Sequence, residues 1–197
     1  FGLLVAGGDD VVRFEATSTR AQLLAQLSRL YDIPRRTTAS GDRADLDGTL
    51  RSLERARPRR GQVVIISDFL DQTEWWHAVA RLALAHQVLC VQIVDPRELE
   101  LPAAGMLTLV DTESGRDIHV QSNSAKLRER YADAARTRHE MIARRIREAG
   151  SEHLVLTTSS DWLIEIVRFV AERRSLRRHI SRSQRLRAGA TRLRSMS

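Results

Sequence analysis

Cysteine is nearly absent from this chain: Cys90 is the single one in 197 residues, and it sits inside the apolar run Val88-Leu89-Cys90-Val91. A disulfide framework and a cysteine-rich zinc site are therefore excluded, and a reducing, cytoplasmic compartment is the expectation. Lysine is equally scarce, with Lys126 alone against 31 arginines. It lies at a helix start with no glycine-rich loop before it, so no phosphate-loop lysine motif is present. No apolar run approaches the ~20 residues that span a bilayer, and no basic-then-apolar leader opens the chain, which predicts a soluble piece. Acidic residues are missing after Glu172, whereas nine arginines lie between Arg173 and Arg194. The formal charge of +7 is thus local: residues 1–172 carry 23 basic against 25 acidic groups. A basic globule made for nucleic acid is not what this composition describes.

What is present is an ordered body of 42% hydrophobic residues, enough for a core. Residues 1–6 and 11–16 are short β-type runs around Gly7-Gly8-Asp9-Asp10, a hairpin signal. Leu23, Leu24, Leu27, Leu30 and Tyr31 recur at helical spacing before Pro34, and Leu46, Leu50 and Leu53 do so before Pro58. Gln62 to Ser67 is apolar and β-branched almost throughout, as in a strand covered on both faces of a parallel sheet. Residues 73–85 read as a helix that buries Trp76, Val79, Ala80, Leu82 and Ala83, and Val88 to Val94 as a second buried strand. A second hairpin, over residues 106–120, is expected as an insertion on one sheet edge. Ser124 to Ala149 is the longest helical pattern, with Leu127, Tyr131, Ala134, Ala135, Met141, Ile142 and Ile146 inward and Gly150 at its C-terminal end. His153 to Thr158 is a last strand, and Asp161 can cap a closing helix from Trp162 to Arg173. The β-α-β alternation predicts a three-layer α/β domain over residues 1–173, followed by an Arg-rich tail, 174–197.

Ligands of open parallel sheets bind beyond the carboxyl ends of the strands. Those ends carry Ser67-Asp68, Asp95 with Arg97 and Glu98, and Thr157 to Asp161. An oxygen-rich rim of this kind suits a hard cation or a partner surface, although capping of turns by Asp68 and Asp95 explains the same residues. The six histidines are scattered singly, without His-Glu-x-x-His spacing. No Gly-x-Gly-x-x-Gly, phosphate-loop or Gly-x-Ser-x-Gly motif occurs, and no nucleophile is paired with a base in the sequence. In the tail, Arg177, Arg178, Arg182 and Arg185 are the candidate contacts for an acidic surface, headgroups or nucleic acid, with a solvated charge run as the plainer explanation. No aromatic residue interrupts that tail, so base stacking has no support.

Several stretches resemble one bacterial family. Val63-Val64-Ile65-Ile66-Ser67-Asp68-Phe69-Leu70-Asp71, His86-Gln87-Val88, Val94-Asp95-Pro96-Arg97-Glu98-Leu99-Glu100-Leu101-Pro102 with Gly105, and Val110 to Gly115 are similar to the domain of unknown function 58 family. The resemblance runs to about residue 173. It implies a von Willebrand factor A-like, mostly parallel sheet, and a non-enzymatic companion of a MoxR-type AAA+ ATPase in maturation or assembly of a client protein. It also implies a magnesium site, whose leading Asp-x-Ser-x-Ser element belongs on a central strand upstream of Phe1. Asp68 matches one ligand position, and Thr49 stands near the second loop, where Ala44 occupies the threonine position. Magnesium is accordingly expected only with upstream residues. The chain opens on a strand-like run without a methionine, which points to numbering that starts within a longer protein, and the edges beside the missing strand are expected to be unpaired.

The leading expectation is an interaction domain that uses Asp68, and secondarily Asp71, Asp95 and Thr49. Nucleic-acid or acidic-surface binding through the tail is the second, and a magnesium-dependent phosphoesterase using Asp68 and Asp95 is the third.

Overall fold

A computed structural model describes residues 1–7, 10–33, 45–56, 59–110 and 117–175. At its centre lies a parallel three-stranded sheet in the order β3-β4-β7, formed by β3 (Gln62–Ser67), β4 (Gln87–Val94) and β7 (Glu152–Thr157). The pairing of Val63 with Val88, Ile65 with Cys90 and Cys90 with His153 sets the register. Because side chains alternate across a strand, this register divides the apolar residues cleanly between two faces.

One face carries Ile65, Val88 and Cys90 and is covered by α2 (Leu46–Arg55), α3 (Trp75–Ala85) and α4 (Ala125–Glu148). Leu50, Trp75, Val79, Leu82, Ile142 and Ile146 pack into it, each removed from water for about 1.5–3 kcal/mol. The other face carries Leu89, Val91 and Leu156, with Ile166 and Phe169 packed on it from α5, the helical residues 162–175. The result is a mixed α/β, Rossmann-like arrangement with helices on both sides of a parallel sheet, as the β-α-β alternation predicts.

Helix boundaries follow local chemistry. Asp45 caps α2 by accepting from the Gly48 amide at 2.7 Å. A Cβ at Gly48 would meet only the movable end of that carboxylate side chain. Ser124 caps α4, and Gly150, at φ +73°, takes the left-handed position that ends it. Asp161 receives the Leu163 and Ile164 amides at 3.1 and 3.3 Å, as its capping role predicts.

Several details differ from the sequence expectations. The hairpins β1–β2 (Leu3–Gly7 and Asp10–Phe14) and β5–β6 (Met106–Val110 and Asp117–Gln121) are separate two-stranded antiparallel sheets, so the second is no edge extension of the parallel sheet. In α3 it is Trp75, 1% exposed, that is buried with Ala78, Val79 and Leu82, while Trp76 is only partly buried beneath the Arg145 guanidinium. In α1 (Arg20–Tyr31) no residue is buried, and Leu24, Leu27 and Tyr31 face solvent because no described element covers that stripe. Ala134 of α4 is likewise exposed. Among the described residues β3 is an edge strand, with Val64 and Ile66 49% and 67% exposed.

Candidate functional site

Since β3, β4 and β7 are parallel, the residues that follow them share one end of the sheet, and Ser67 and Asp95 both lie at that end. The turn after β3 is held by its own side chains. Ser67 Oγ accepts from the Phe69 amide at 3.0 Å, and Asp68 Oδ1 accepts from the Leu70 amide at 3.0 Å. Phe69 adopts φ +58°, a left-handed conformation that costs a non-glycine residue about 1–2 kcal/mol. Its ring offsets that cost by burying to 2% exposure against Trp75, with the ring centroids 4.9 Å apart.

Asp71, further along the turn, is a clasp. Its Oδ2 accepts from the Leu46 amide at the start of α2 at 2.6 Å, and its Oδ1 accepts from the Thr73 amide at 2.7 Å. Asp95 accepts from the Arg97 amide at 3.0 Å and caps the short 3-10 turn Pro96–Glu98. Each carboxylate therefore has a turn-holding role, the plainer of the two roles expected for Asp68 and Asp95. They are also gathered electrostatically. Burial raises the Glu98 carboxyl above its ordinary value, the negative charges of Asp68 and Asp95 raise it further, and Arg138 on α4 opposes them.

The described residues do not by themselves fit a magnesium ion. Thr49 donates its hydroxyl to the Asp45 carbonyl at 2.7 Å rather than to the rim, and Asp68 Oδ1 is engaged by a backbone amide. Among the described residues no three His, Cys, Asp or Glu side chains converge in ligating geometry. No step of a phosphoesterase mechanism follows from this donor set. Arg177, Arg178, Arg182 and Arg185 lie outside the described residues, as does Ala44.

Behind the rim lies a feature that the sequence reading missed. Gln92, 1% exposed, stands in the middle of β4 with its side chain directed at α4 and β7. Its Nε2 is 3.0 Å from His139 Nδ1 and 3.5 Å from the Asp68 carbonyl, and its Oε1 is 3.1 Å from His153 Nε2. The available signal was a lone amide inside an otherwise apolar strand, together with His139 four residues after buried Ala135 and three before buried Ile142. Nearby, burial pushes the Cys90 thiol up to about 11, which leaves it unreactive beside Ser151 Oγ.

The family described as "Protein of unknown function DUF58" matches residues 1–141. The chain belongs to the DUF58 family. Among its relatives, the uncharacterised protein Rv1480 of Mycobacterium tuberculosis is 39% identical over 173 residues, 88% of this chain and 54% of the relative. The uncharacterised protein MAV169 of Mycobacterium avium is 38% identical over 166 residues, 83% of this chain and 95% of the relative. This DUF58 chain thus spans about half the length of Rv1480. A crystal structure of an uncharacterised membrane-spanning protein from Vibrio fischeri aligns with 87% of this chain and 74% of its own, at 13% identity and a TM-score of 0.24. That score is too low to carry an argument. No helix among the described residues is long and apolar enough to cross a membrane.

Proposed function

We propose that this DUF58 chain is a non-enzymatic, von Willebrand factor A-like interaction module. It works in the cytoplasm beside a MoxR-type AAA+ ATPase in the maturation or assembly of a client protein. The observation that supports the reading is the rim itself. Asp68, Asp95 and Glu98 form one acidic group at the carboxyl end of a parallel sheet, and the turns bearing the two aspartates are stiffened by the side chains' own hydrogen bonds to backbone amides. A fixed, charged lip suits recognition, because little order is lost when a partner docks.

In a pull-down and ATPase-stimulation assay with a MoxR-type ATPase of the same bacterium, Asp68→Ala is expected to weaken association about tenfold, on the order of 1.4 kcal/mol. Association that is unchanged in a folded Asp68→Ala protein removes Asp68 from the interface.

A second reading has its own observation, the nine arginines from Arg173 to Arg194 with no acid after Glu172. Binding of a polyanion through this tail predicts affinity that falls steeply with salt and disappears when residues 174–197 are deleted. Filter binding of a DNA duplex at two salt concentrations measures this, and binding that survives the deletion refutes a role for the tail.

A further inference from the structure

Gln92, itself buried, is the hub of a polar network that joins it to two half-buried histidines and to the rim. Its amide orientation is assigned from the contact with the Asp68 carbonyl at 3.5 Å. The Asp68 carbonyl can only accept, so the NH2 end of Gln92 must face it, and the same NH2 end faces His139 Nδ1. A flipped amide would set oxygen against oxygen. His139 Nδ1 is consequently an acceptor, which requires the neutral ring with its proton on Nε2. His153 Nε2 faces the amide oxygen and is a donor. The two rings therefore differ in kind. A proton added to His139 puts a donor against a donor, whereas a proton added to His153 leaves its bond to Gln92 intact.

We propose that His139 and Gln92 form a pH-sensitive latch, closed when His139 is neutral, that holds the Asp68 turn and α4 against the sheet and loosens the rim when His139 is protonated. The neighbouring arginines act in the same sense, and the rim carboxylates oppose them. Arg138 lies beside His139 on α4, and Arg147 of the same helix acts on His153. On the rim side stand Asp68, Asp95 and Glu98, with Arg138 among them. On β4 the neighbouring group is the Cys90 thiol, held neutral by burial, and on β7 Glu152 is paired with Arg173. Burial, and then the neighbouring arginine, lowers both histidines from the ordinary 6.5. A base whose folded pKa is depressed takes up protons more readily unfolded, so the stabilisation is complete above about pH 6.5 and declines as pH falls below it.

The latch is independent of the function proposed above. That it would tune partner affinity at the rim rests on that reading, so the test uses the chain without a partner. Side-chain 15N spectra of the full chain between pH 8 and 5 report the tautomers, and amide exchange reports the turn. At pH 7.5 His139 is expected as the Nε2–H tautomer with an unprotonated Nδ1. As His139 titrates, protection factors of the Phe69 and Leu70 amides should fall by up to about tenfold per pH unit, as one-proton linkage requires. In His139→Phe that pH dependence should disappear. Should His139→Phe not fold, Gln92→Glu supplies a second arm, in which the carboxylate raises the midpoint of His139. An Nδ1–H tautomer of His139 at neutral pH overturns the proposal. So does protection of Phe69 and Leu70 that stays constant through the titration of His139, or the same pH dependence in His139→Phe.

Discussion

Replacing Phe69 with alanine is expected to lower the stability of the folded chain by about 3–5 kcal/mol, the usual range for deleting a buried aromatic ring. The ring is 2% exposed, packs on Trp75 at 4.9 Å and belongs to the cluster that includes Leu50, Ile65 and Ile142. Collapse around the vacated volume is restricted, because Trp75 and Val79 are themselves fixed between α3 and the sheet. A second comparison separates packing from backbone. Alanine retains the cost of a left-handed residue at φ +58°, whereas glycine does not. Phe69→Gly should therefore be the more stable of the two variants by about 1 kcal/mol, the reverse of the ordinary glycine penalty. Urea titration measures both. A loss under about 1 kcal/mol for Phe69→Ala would mean that the ring contributes little, and glycine no better than alanine would mean that the turn is unstrained.

Asp71→Ala should cost about 2–3 kcal/mol, since two backbone amides on different segments lose a charged acceptor together. The Leu46 amide is an otherwise open donor at the start of α2, and Asp71 Oδ2 reaches it from 25 residues away. Asparagine is a poor substitute. It offers one oxygen and one NH2, so one of the two amides, that of Leu46 or that of Thr73, would meet a donor. Asp71→Asn is thus expected to recover no more than about half of the loss. Full recovery by asparagine, or a change within about 0.5 kcal/mol for Asp71→Ala, would show that the clasp does not hold α2 to the turn. Because Asp71 also stands at the candidate interface, partner binding by its variants has to be compared at equal folded fraction.

Much of this architecture was legible in the residues. The β-branched run Gln62 to Ser67 coincides with β3, and the leucine pattern from Leu23 to Tyr31 falls within α1. Period and punctuation act locally, and both elements are written in consecutive residues. The rim was legible for a related reason. Once two strands are parallel, the residues that follow each must lie at the same end, which brings Ser67, Asp68 and Asp95 together. The covering of α1 was not legible, because periodicity states which side is apolar and not what lies against it. Leu24, Leu27 and Tyr31 form a good stripe, and it is exposed.

By themselves, then, the residues determined the type and order of most elements, the parallel sheet, the DUF58 membership and the end of the sheet at which polar groups collect. Only the tertiary structure decided what those groups do. It engaged Thr49 with a helix carbonyl, made Asp71 a clasp and joined Gln92 to two histidines that are 47 and 61 residues distant in the chain. The physical reason is range. Backbone preference and hydrophobic period are set by neighbours a few residues apart, whereas the partner of a buried amide is chosen by whichever segments packing brings within about 3 Å.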